Sequence, residues 1–168
     1  FTQTNEIAFD DRESLRIVIM SGDFIPPSLP GKIYDAYENV SVYSGGGATE
    51  GAVWSIYYPI SKDHDPSVKI PYGYPLSNQR IYVLNDDMEL CPENVTGNIC
   101  ISGKGLAKEY FKDTEKTNAA FVETRNFGRV YITGDLGTMT DKGYVDFNGR
   151  KDSQVKLNGF RIELGEIE

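Results

Sequence analysis

Three short stretches of the sequence carry side chains that could bind a ligand. The first is SGGGATEG at 44–51, where a run of glycines leads into a hydroxyl and a carboxylate. Glycines allow a backbone to adopt unusual dihedral angles and to lie against a flat ligand. Thr49 and Glu50 add a hydroxyl and the hard oxygen ligand that Mg²⁺ prefers. Taken alone, the stretch is more typical of a glycine-rich turn before a helix.

The other two stretches lie in the second half of the chain. YITGDL at 131–136 predicts a strand that ends in Thr-Gly-Asp, and the two oxygens of Asp135 can accept both hydroxyls of a ribose. An aspartate in an ordinary turn explains this stretch equally well. The long run at 149–168 begins with Arg150, whose forked donors suit phosphate or ribose oxygens, although a surface charge run is the alternative.

Several other chemistries are excluded by spacing. In GNICISGK, five residues separate Gly97 from Gly103, and residue 105 is a glycine, so the segment fails the phosphate-loop pattern and is predicted to be a strand. His64 is the only histidine, and the two cysteines lack CxxC spacing, which argues against zinc. We therefore expect Cys91 and Cys100 to be free thiols.

The composition narrows the class of protein and its partners. The 168 residues, 39% hydrophobic and 25% charged, are typical of a globular chain. A net charge of −8 argues against binding to nucleic acid. No apolar run is long enough to span a bilayer, and no signal peptide is visible, so the sequence predicts a cytoplasmic protein without a membrane partner.

The order of elements predicts an α/β unit followed by a β-rich unit. A compact apolar strand at 15–20, predicted to be buried, is followed by a helix at 28–37 and a strand at 39–44. A polar, proline-rich connector then precedes β-branched or aromatic strands, which suggest a small antiparallel sheet or barrel, at 79–86, 97–103, 128–135 and 142–150. A helix at 113–121, with Asp113 as its N-cap, interrupts them.

Together and in this order, four segments resemble the adenylation domain of a nonribosomal peptide synthetase, in the superfamily of adenylate-forming enzymes that includes acyl-CoA synthetases and luciferases. They are GGGATE, GNICISGKGLAKEYF, YITGDL and GRKDSQVKLNGFRIELGEIE. The resemblance implies the end of an α/β subdomain at 1–60 and a small distorted β-barrel subdomain at 61–150. Residues 151–168 would form the hinge and the start of a truncated C-terminal domain.

The resemblance also implies a reaction in two steps. An amino acid carboxylate attacks the α-phosphate of ATP with Mg²⁺ as cofactor, which gives an aminoacyl-adenylate and pyrophosphate. The phosphopantetheine thiol of a carrier protein domain then captures the acyl group. The implied partners are the amino-acid substrate, the carrier domain, the rest of the adenylation domain and the neighbouring synthetase domains.

Positions that match the family motifs take the family's roles. Gly22 and Asp23 would border the adenine, with Ser44, Gly46 and Gly47 on another wall. The implied catalytic set is Thr49 near the phosphate, Glu50 on Mg²⁺, Asp135 on the ribose hydroxyls and Arg150 on ribose or phosphate, with Phe147 packed nearby. Asp152 would be the hinge about which the C-terminal domain rotates, and Lys156 and Gly159 would then face the pantetheine channel.

The sequence departs from the family pattern at several positions. The commoner form has Asn at 44 and Tyr at 46, where the tyrosine stacks on adenine, whereas this chain has Ser44 and Gly46. Asn98 and Glu109 replace a Glu and a Gly of the family. The family's phosphate-gripping loop and its catalytic lysine do not occur in the chain, so the resemblance implies a fragment that is inactive alone.

The substrate-pocket positions that match are Ile19, Ser21, Gly45, Val53 and Trp54. With SGDFIPPSLP and GGATEGAVWS, they resemble the cysteine-activating domains of thiazoline-forming synthetases, and Gly45 would widen the pocket. Two other interpretations remain: an acyl- or aryl-acid CoA ligase, which shares T-G-D and G-R-x-D, and a degenerate adenylation domain that serves as a scaffold.

Overall fold

The computed structural model describes residues 13–151, 154–157 and 160–163. Within them the chain forms three sheets and two α-helices. The strands are β1 (Ile17–Met20), β2 (Ser41–Gly46), β3 (Ile56–Ile60), β4 (Tyr74–Pro75), β5 (Gln79–Leu84), β6 (Thr96–Gly103), β7 (Phe121–Thr124), β8 (Gly128–Met139), β9 (Val145–Arg150), β10 (Gln154–Leu157) and β11 (Phe160–Glu163). The helices are α1 (Leu29–Ala36) and α2 (Thr114–Ala120), and Thr49–Gly51 forms a 3₁₀ turn.

The first sheet has the strand order β1-β2-β3-β4 and contains the predicted strand–helix–strand unit. β1 and β2 are parallel, and α1 connects them. Ile33 of α1 packs with Val40, Val42 and Ile60 beneath the sheet. The predicted strand–helix–strand order is confirmed.

The prediction that the first strand is buried is wrong for one of its faces. Ile17 and Ile19 are 58% and 46% exposed, whereas Val18 and Met20 pack into the core beside α1. Within the described residues β1 lies at the edge of its sheet, and α1 covers a single face. Although apolar residues occupy both faces of β1, only the face that α1 covers is packed in the core.

The second sheet is antiparallel, with the order β5-β6-β8-β7, and β9 pairs with β8. β6 is buried along almost its whole length, which confirms the strand predicted there in place of a phosphate loop. The long β8 pairs with β7 from Gly128 to Tyr131 and with β9 from Asp135 to Met139, and a bulge at Leu136/Gly137 interrupts the pairing with β9. The α/β-then-β fold class is confirmed, although the described strands form an open sheet where a barrel was predicted.

Short elements account for the main differences from the predicted strand and helix list. α2 begins after Asp113, whose Oδ1 accepts a 2.9 Å hydrogen bond from the backbone N–H of Lys116, as expected of the predicted N-cap. Five short strands, of two to five residues each, were not predicted because such short runs carry little periodicity; they are β3, β4, β7, β10 and β11. β4 extends the first sheet to Pro75, and the proposed subdomain boundary at residue 60 remains a prediction.

β10 and β11 pair in antiparallel orientation, with Gln154 opposite Glu163. Both cysteines are free thiols, as predicted; Cys100 is buried and Cys91 is partly exposed. Of the helices in the described part of the chain, neither is long and apolar enough to cross a membrane.

Candidate functional site

The glycine-rich stretch begins where two parallel strands end side by side. Met20 at the end of β1 is in register with Ser44 in β2, so the residues after Met20 lie beside Gly45 and Gly46. Loops at the carboxyl ends of parallel strands are the usual location of ligand sites in α/β sheets. The parallel pairing therefore brings the predicted adenine-binding residues after β1, Gly22 and Asp23, to the same edge of the sheet as those at the end of β2.

Each of two glycines at this edge is required by a contact within the chain. Gly47 has φ +146°, and a Cβ there would lie 2.7 Å from the backbone N of Ser55. A Cβ on Gly46 would lie 2.1 Å from Cε2 of Tyr72 and 2.9 Å from its Cζ. The glycines therefore allow the backbone of this stretch to pack closely against Ser55 at Gly47 and against the ring of Tyr72 at Gly46.

Glu50 lies in the 3₁₀ turn that follows the glycines, with its side chain directed into the protein. It is 6% exposed, and its Oε1 accepts a 2.6 Å hydrogen bond from the hydroxyl of Tyr110. The carbonyl of Glu50 accepts a 2.8 Å bond from the N–H of Ala107. Burial and the bond to Glu50 both raise the pKa of Tyr110, so the phenol remains a donor. Thr49 beside Glu50 is exposed.

The loop that carries Tyr110 is itself held in place. Arg129 donates through Nη1 to the carbonyl of Ala107 at 2.7 Å and through Nη2 to the carbonyl of Lys108. Its guanidinium lies 4.3 Å from the centroid of the Phe121 ring, which packs edge-on against Tyr110. Arg129 thus fixes the backbone from which Tyr110 reaches Glu50.

Asp135 and Arg150 lie opposite each other on β8 and β9. Their register is fixed by the antiparallel pairing, and Nη1 of Arg150 lies 2.6 Å from Oδ1 of Asp135. The two side chains are 15% and 17% exposed. The N–H of Asp135 donates to Oγ1 of Thr133 at 3.0 Å, and Nη2 of Arg150 donates to the carbonyl of Thr133 at 3.4 Å. The carboxylate of Asp135, which could accept hydrogen bonds from two hydroxyls, thus lies beside the guanidinium of Arg150.

Tyr72 connects the glycine-rich edge to this carboxylate. Besides covering Gly46, its ring centroid lies 5.9 Å from that of Phe147, tilted by 56°. Burial and the nearby charge of Asp135 raise the pKa of Tyr72, while a backbone hydrogen bond from Gly47 and the charge of Arg150 act in the opposite direction. Predicted nucleotide-binding residues from both sheets therefore converge on one tyrosine.

The predicted substrate-pocket positions also lie together. Nε1 of Trp54 donates a 2.9 Å hydrogen bond to Oγ of Ser21. A Cβ on Gly45 would lie 3.2 Å from Cγ2 of Ile19, 3.7 Å from that Trp54 nitrogen and 3.8 Å from Cβ of Ser21. Val53, with φ +71°, is 64% exposed.

Other predicted site residues are less constrained by the described structure. Gly22 and Asp23 are exposed, and Oδ1 of Asp23 accepts a 2.7 Å bond from the N–H of Phe24. Asp152 and Gly159 lie outside the described residues, as does the side chain of Lys156. Their roles at the hinge and at the pantetheine channel remain predictions.

The donor set fits magnesium held together with a nucleotide. The described residues contain no cluster of three His, Cys, Asp or Glu side chains that could hold a metal ion by themselves. Mg²⁺ is usually bound by one or two carboxylates, with substrate phosphates and waters as the remaining ligands. Glu50 would supply the carboxylate and Thr49 a neighbouring hydroxyl.

Tyr72, Tyr110 and Arg129 were not predicted to belong to the site. Tyr72 lies in the connector that was described only as polar and proline-rich, and its importance depends on a contact across 26 residues with Gly46. Tyr110 is the next-to-last residue of the segment GNICISGKGLAKEYF, so its position in a family motif was the available signal. A single sequence does not reveal the pairing of either tyrosine with the glycine-rich stretch.

Comparison with known proteins identifies the family of the chain. The AMP-binding enzyme family matches residues 2–111. Bacitracin synthase 1 of Bacillus licheniformis is 52% identical over 154 residues, which are 92% of this chain and 3% of that protein. The AMPPNP-bound form of the nonribosomal peptide synthetase FmoA3 superposes with a TM-score of 0.79 at 37% identity, over 86% of this chain and 16% of that one.

A further solved structure is PA1221, described as a nonribosomal peptide synthetase protein that contains adenylation and PCP domains. It superposes with a TM-score of 0.83 at 30% identity, over 92% of this chain and 32% of that one. The chain belongs to the AMP-binding enzyme family, among the adenylation domains of nonribosomal peptide synthetases. It spans less than a third of each of these three relatives.

Proposed function

We propose that the chain forms part of an adenylation domain that converts an amino acid and Mg-ATP into an aminoacyl-adenylate and pyrophosphate. The observation that carries the proposal is that the ring of Tyr72 meets both Gly46 and Phe147, and that β9, which carries Phe147, also carries Arg150, paired with Asp135 of β8. A carboxylate for two ribose hydroxyls, a forked cation and aromatic rings form the chemical complement of a nucleoside phosphate.

In the first step, a carboxylate oxygen of the amino acid attacks the α-phosphorus, and pyrophosphate leaves. Asp135 would hold the ribose, and Arg150 would orient it and contact ribose or phosphate. Thr49 would lie beside the phosphates. Glu50 would hold Mg²⁺, which neutralises charge on the phosphate oxygens during the displacement. Tyr110, by donating to Glu50, would keep that carboxylate in one orientation.

In the second step, the phosphopantetheine thiol of a carrier domain attacks the acyl carbon, and AMP leaves. The adenylation and PCP domains that coexist in PA1221 support a carrier partner for this chain. Asp152 would be the hinge of the movement between the steps. The neighbouring synthetase domains and the rest of the adenylation domain would complete the enzyme, in the cytoplasm.

The substrate we propose is cysteine. Ile19, Ser21, Gly45 and Trp54 meet in one place, with Val53 directly before Trp54 in the chain, and the polar side-chain atoms there are Oγ of Ser21 and Nε1 of Trp54. Substrate-dependent exchange between ATP and pyrophosphate, measured across the amino acids on the adenylation domain that contains this chain, tests this assignment. We expect cysteine to give the highest exchange, and preference for another amino acid would contradict it.

The nucleotide site is tested by AMP titration of the same domain. Asp135→Ala should weaken AMP binding by about tenfold or more, the cost of losing hydrogen bonds to a charged group, whereas Asp87→Ala, at an exposed turn, should leave it unchanged. Absence of AMP affinity in the unmodified domain would favour the scaffold interpretation. Transfer of an acyl group to free CoA, without use of a carrier, would favour the CoA ligase. The 168-residue chain by itself is expected to show no exchange, and robust exchange would contradict its assignment as a fragment.

A further inference from the structure

The space beside Gly46 is filled by a side chain from elsewhere in the chain. Gly46 is the last residue of β2 and does not have a positive φ, so its backbone conformation does not require glycine. A Cβ there would lie 2.1 Å from Cε2 of Tyr72 and 3.0 Å from Cγ2 of Ile56. Glycine at position 46 is therefore required by the ring of Tyr72.

The position of that ring is fixed by the backbone that follows it. Gly73 exchanges two hydrogen bonds with Val145 of β9, at 3.0 and 2.8 Å. Its φ is +117°, and a Cβ there would lie 2.0 Å from the carbonyl oxygen of Tyr57. Tyr72 is thus attached rigidly between β3 and β9, and its ring does not depend on a flexible loop for its placement.

Tyr72 also has the surroundings of a ligand-contacting ring. It is partly exposed, and its neighbours are Phe147 at 5.9 Å between ring centroids, the backbone of Gly47 and the carboxylate of Asp135. Asp135 is the group assigned to the ribose hydroxyls, and a base attached to that ribose must lie within a few ångströms of it. The ring of Tyr72, which lies between Gly46 and the Phe147 ring, therefore offers an aromatic face that is suited to stacking on a base.

We propose that Tyr72 supplies the aromatic surface for the adenine base, in place of a side chain at position 46. The proposal rests on the nucleotide-binding function proposed above and adds the residue that recognises the base. Because residues 46 and 72 compete for one volume, a large side chain at one position excludes a large side chain at the other. Gly46 and Tyr72 would therefore act as a pair.

The test compares AMP with ribose 5-phosphate, which has the same ribose and phosphate but lacks the base. Both are titrated by calorimetry into the adenylation domain that contains this chain. Base–aromatic stacking is worth about 1–3 kcal/mol, so Tyr72→Leu should weaken AMP binding by about 5- to 150-fold. Its affinity for ribose 5-phosphate should change less than about twofold, because that ligand does not reach the ring. Tyr72→Phe, which keeps the ring, should bind AMP within about threefold of the unmodified domain.

A matched control is Tyr82→Leu. Tyr82 is partly buried against Phe127, with ring centroids 4.5 Å apart, in a cluster with Leu84, Cys100 and Val130 that contains no predicted site residue. It should leave both affinities unchanged. Equal losses of AMP and ribose 5-phosphate in Tyr72→Leu would assign Tyr72 a purely structural role and overturn the proposal.

A double variant tests the pair if Tyr72→Leu fails to fold. Gly46→Tyr combined with Tyr72→Ala moves the ring to the other position, and it should retain a preference for AMP over ribose 5-phosphate. A folded double variant without that preference would contradict the proposal. An unmodified domain that binds neither ligand would refute the proposed function, whereas AMP binding that Tyr72→Leu leaves intact would refute this inference alone.

Discussion

The hydroxyl of Tyr110 donates a 2.6 Å hydrogen bond to Oε1 of Glu50, although the two residues are 60 positions apart. Glu50 lies in the 3₁₀ turn after the glycine-rich stretch of the first sheet, and Tyr110 lies in the loop between β6 and α2. A second bond, from the N–H of Ala107 to the carbonyl of Glu50, connects the same two segments. The proposed magnesium ligand is therefore oriented by the β-rich unit.

We expect Tyr110→Phe to lower the free energy of unfolding of the chain by about 1.5–3 kcal/mol, the range for hydrogen bonds to charged groups. The change removes a donor from a buried carboxylate oxygen. Tyr34→Phe is the matched control, since Tyr34 donates at 2.6 Å to the neutral carbonyl of Ile60 and its loss should cost about 0.5–1.5 kcal/mol. Urea denaturation measures both, and a Tyr110→Phe cost no larger than the control would contradict the orienting role.

Gly46→Ala should destabilise the chain by about 1–3 kcal/mol, because the new methyl group collides with the ring of Tyr72. Gly31→Ala in α1 has nothing within 4 Å of the new Cβ, and a helical alanine should be neutral or stabilising by up to about 1 kcal/mol. Thermal denaturation of both variants makes the comparison. Addition of Tyr72→Leu to Gly46→Ala should recover part of the loss, and failure to do so would place the strain elsewhere.

The adjacent residues Arg150 and Lys151 should respond differently to alanine. Arg150 pairs with Asp135 at 2.6 Å with both side chains largely shielded, so Arg150→Ala should cost about 1.5–3 kcal/mol. Lys151 lies 2.7 Å from Asp86, but the two side chains are 55% and 82% exposed. Water and salt screen such a pair, so Lys151→Ala should have little effect on stability. If chemical denaturation gave the same loss of stability for both variants, the difference in burial would not explain the strength of the two ion pairs.

Cys100 should make stability depend on pH in the alkaline range. Burial raises the pKa of its thiol from 9.0 to about 12. A raised folded-state pKa contributes stability that is complete below the unfolded pKa of 9.0 and is lost as the pH rises towards 12. This loss amounts to about 1.4 kcal/mol by pH 10.

Denaturation of the unmodified chain and of Cys100→Ala between pH 8 and pH 10 tests this dependence. The difference in stability between the two chains should shrink as the pH rises. Cys91→Ala is the control, because Cys91 is partly exposed and burial raises the pKa of its thiol to a lesser degree. A constant difference for Cys100→Ala would show that its thiol titrates alike in the folded and unfolded states.

Local sequence patterns predicted most of the longer elements and the motifs. The strand at 97–103 was identified by its β-branched residues, and α2 by Asp113 at its N-terminus, because both signals depend on neighbouring residues. β4 was missed, since its two residues are a strand only through pairing with β3. The burial of β1 was overpredicted, because burial depends on which faces other elements cover.

The sequence by itself determined the motifs, their order and therefore the family, which the comparisons confirmed. It also singled out Glu50, Asp135 and Arg150 as residue types suited to a nucleotide site. The tertiary structure decided which partners these residues have: Tyr110 for Glu50, and Tyr72 for the glycine-rich stretch. Hydrogen bonds and close packing between residues distant in the chain depend on how the two sheets meet. The placement of the two sheets depends on burial of apolar side chains and on strand pairing throughout the fold. A local pattern of residues therefore cannot predict it.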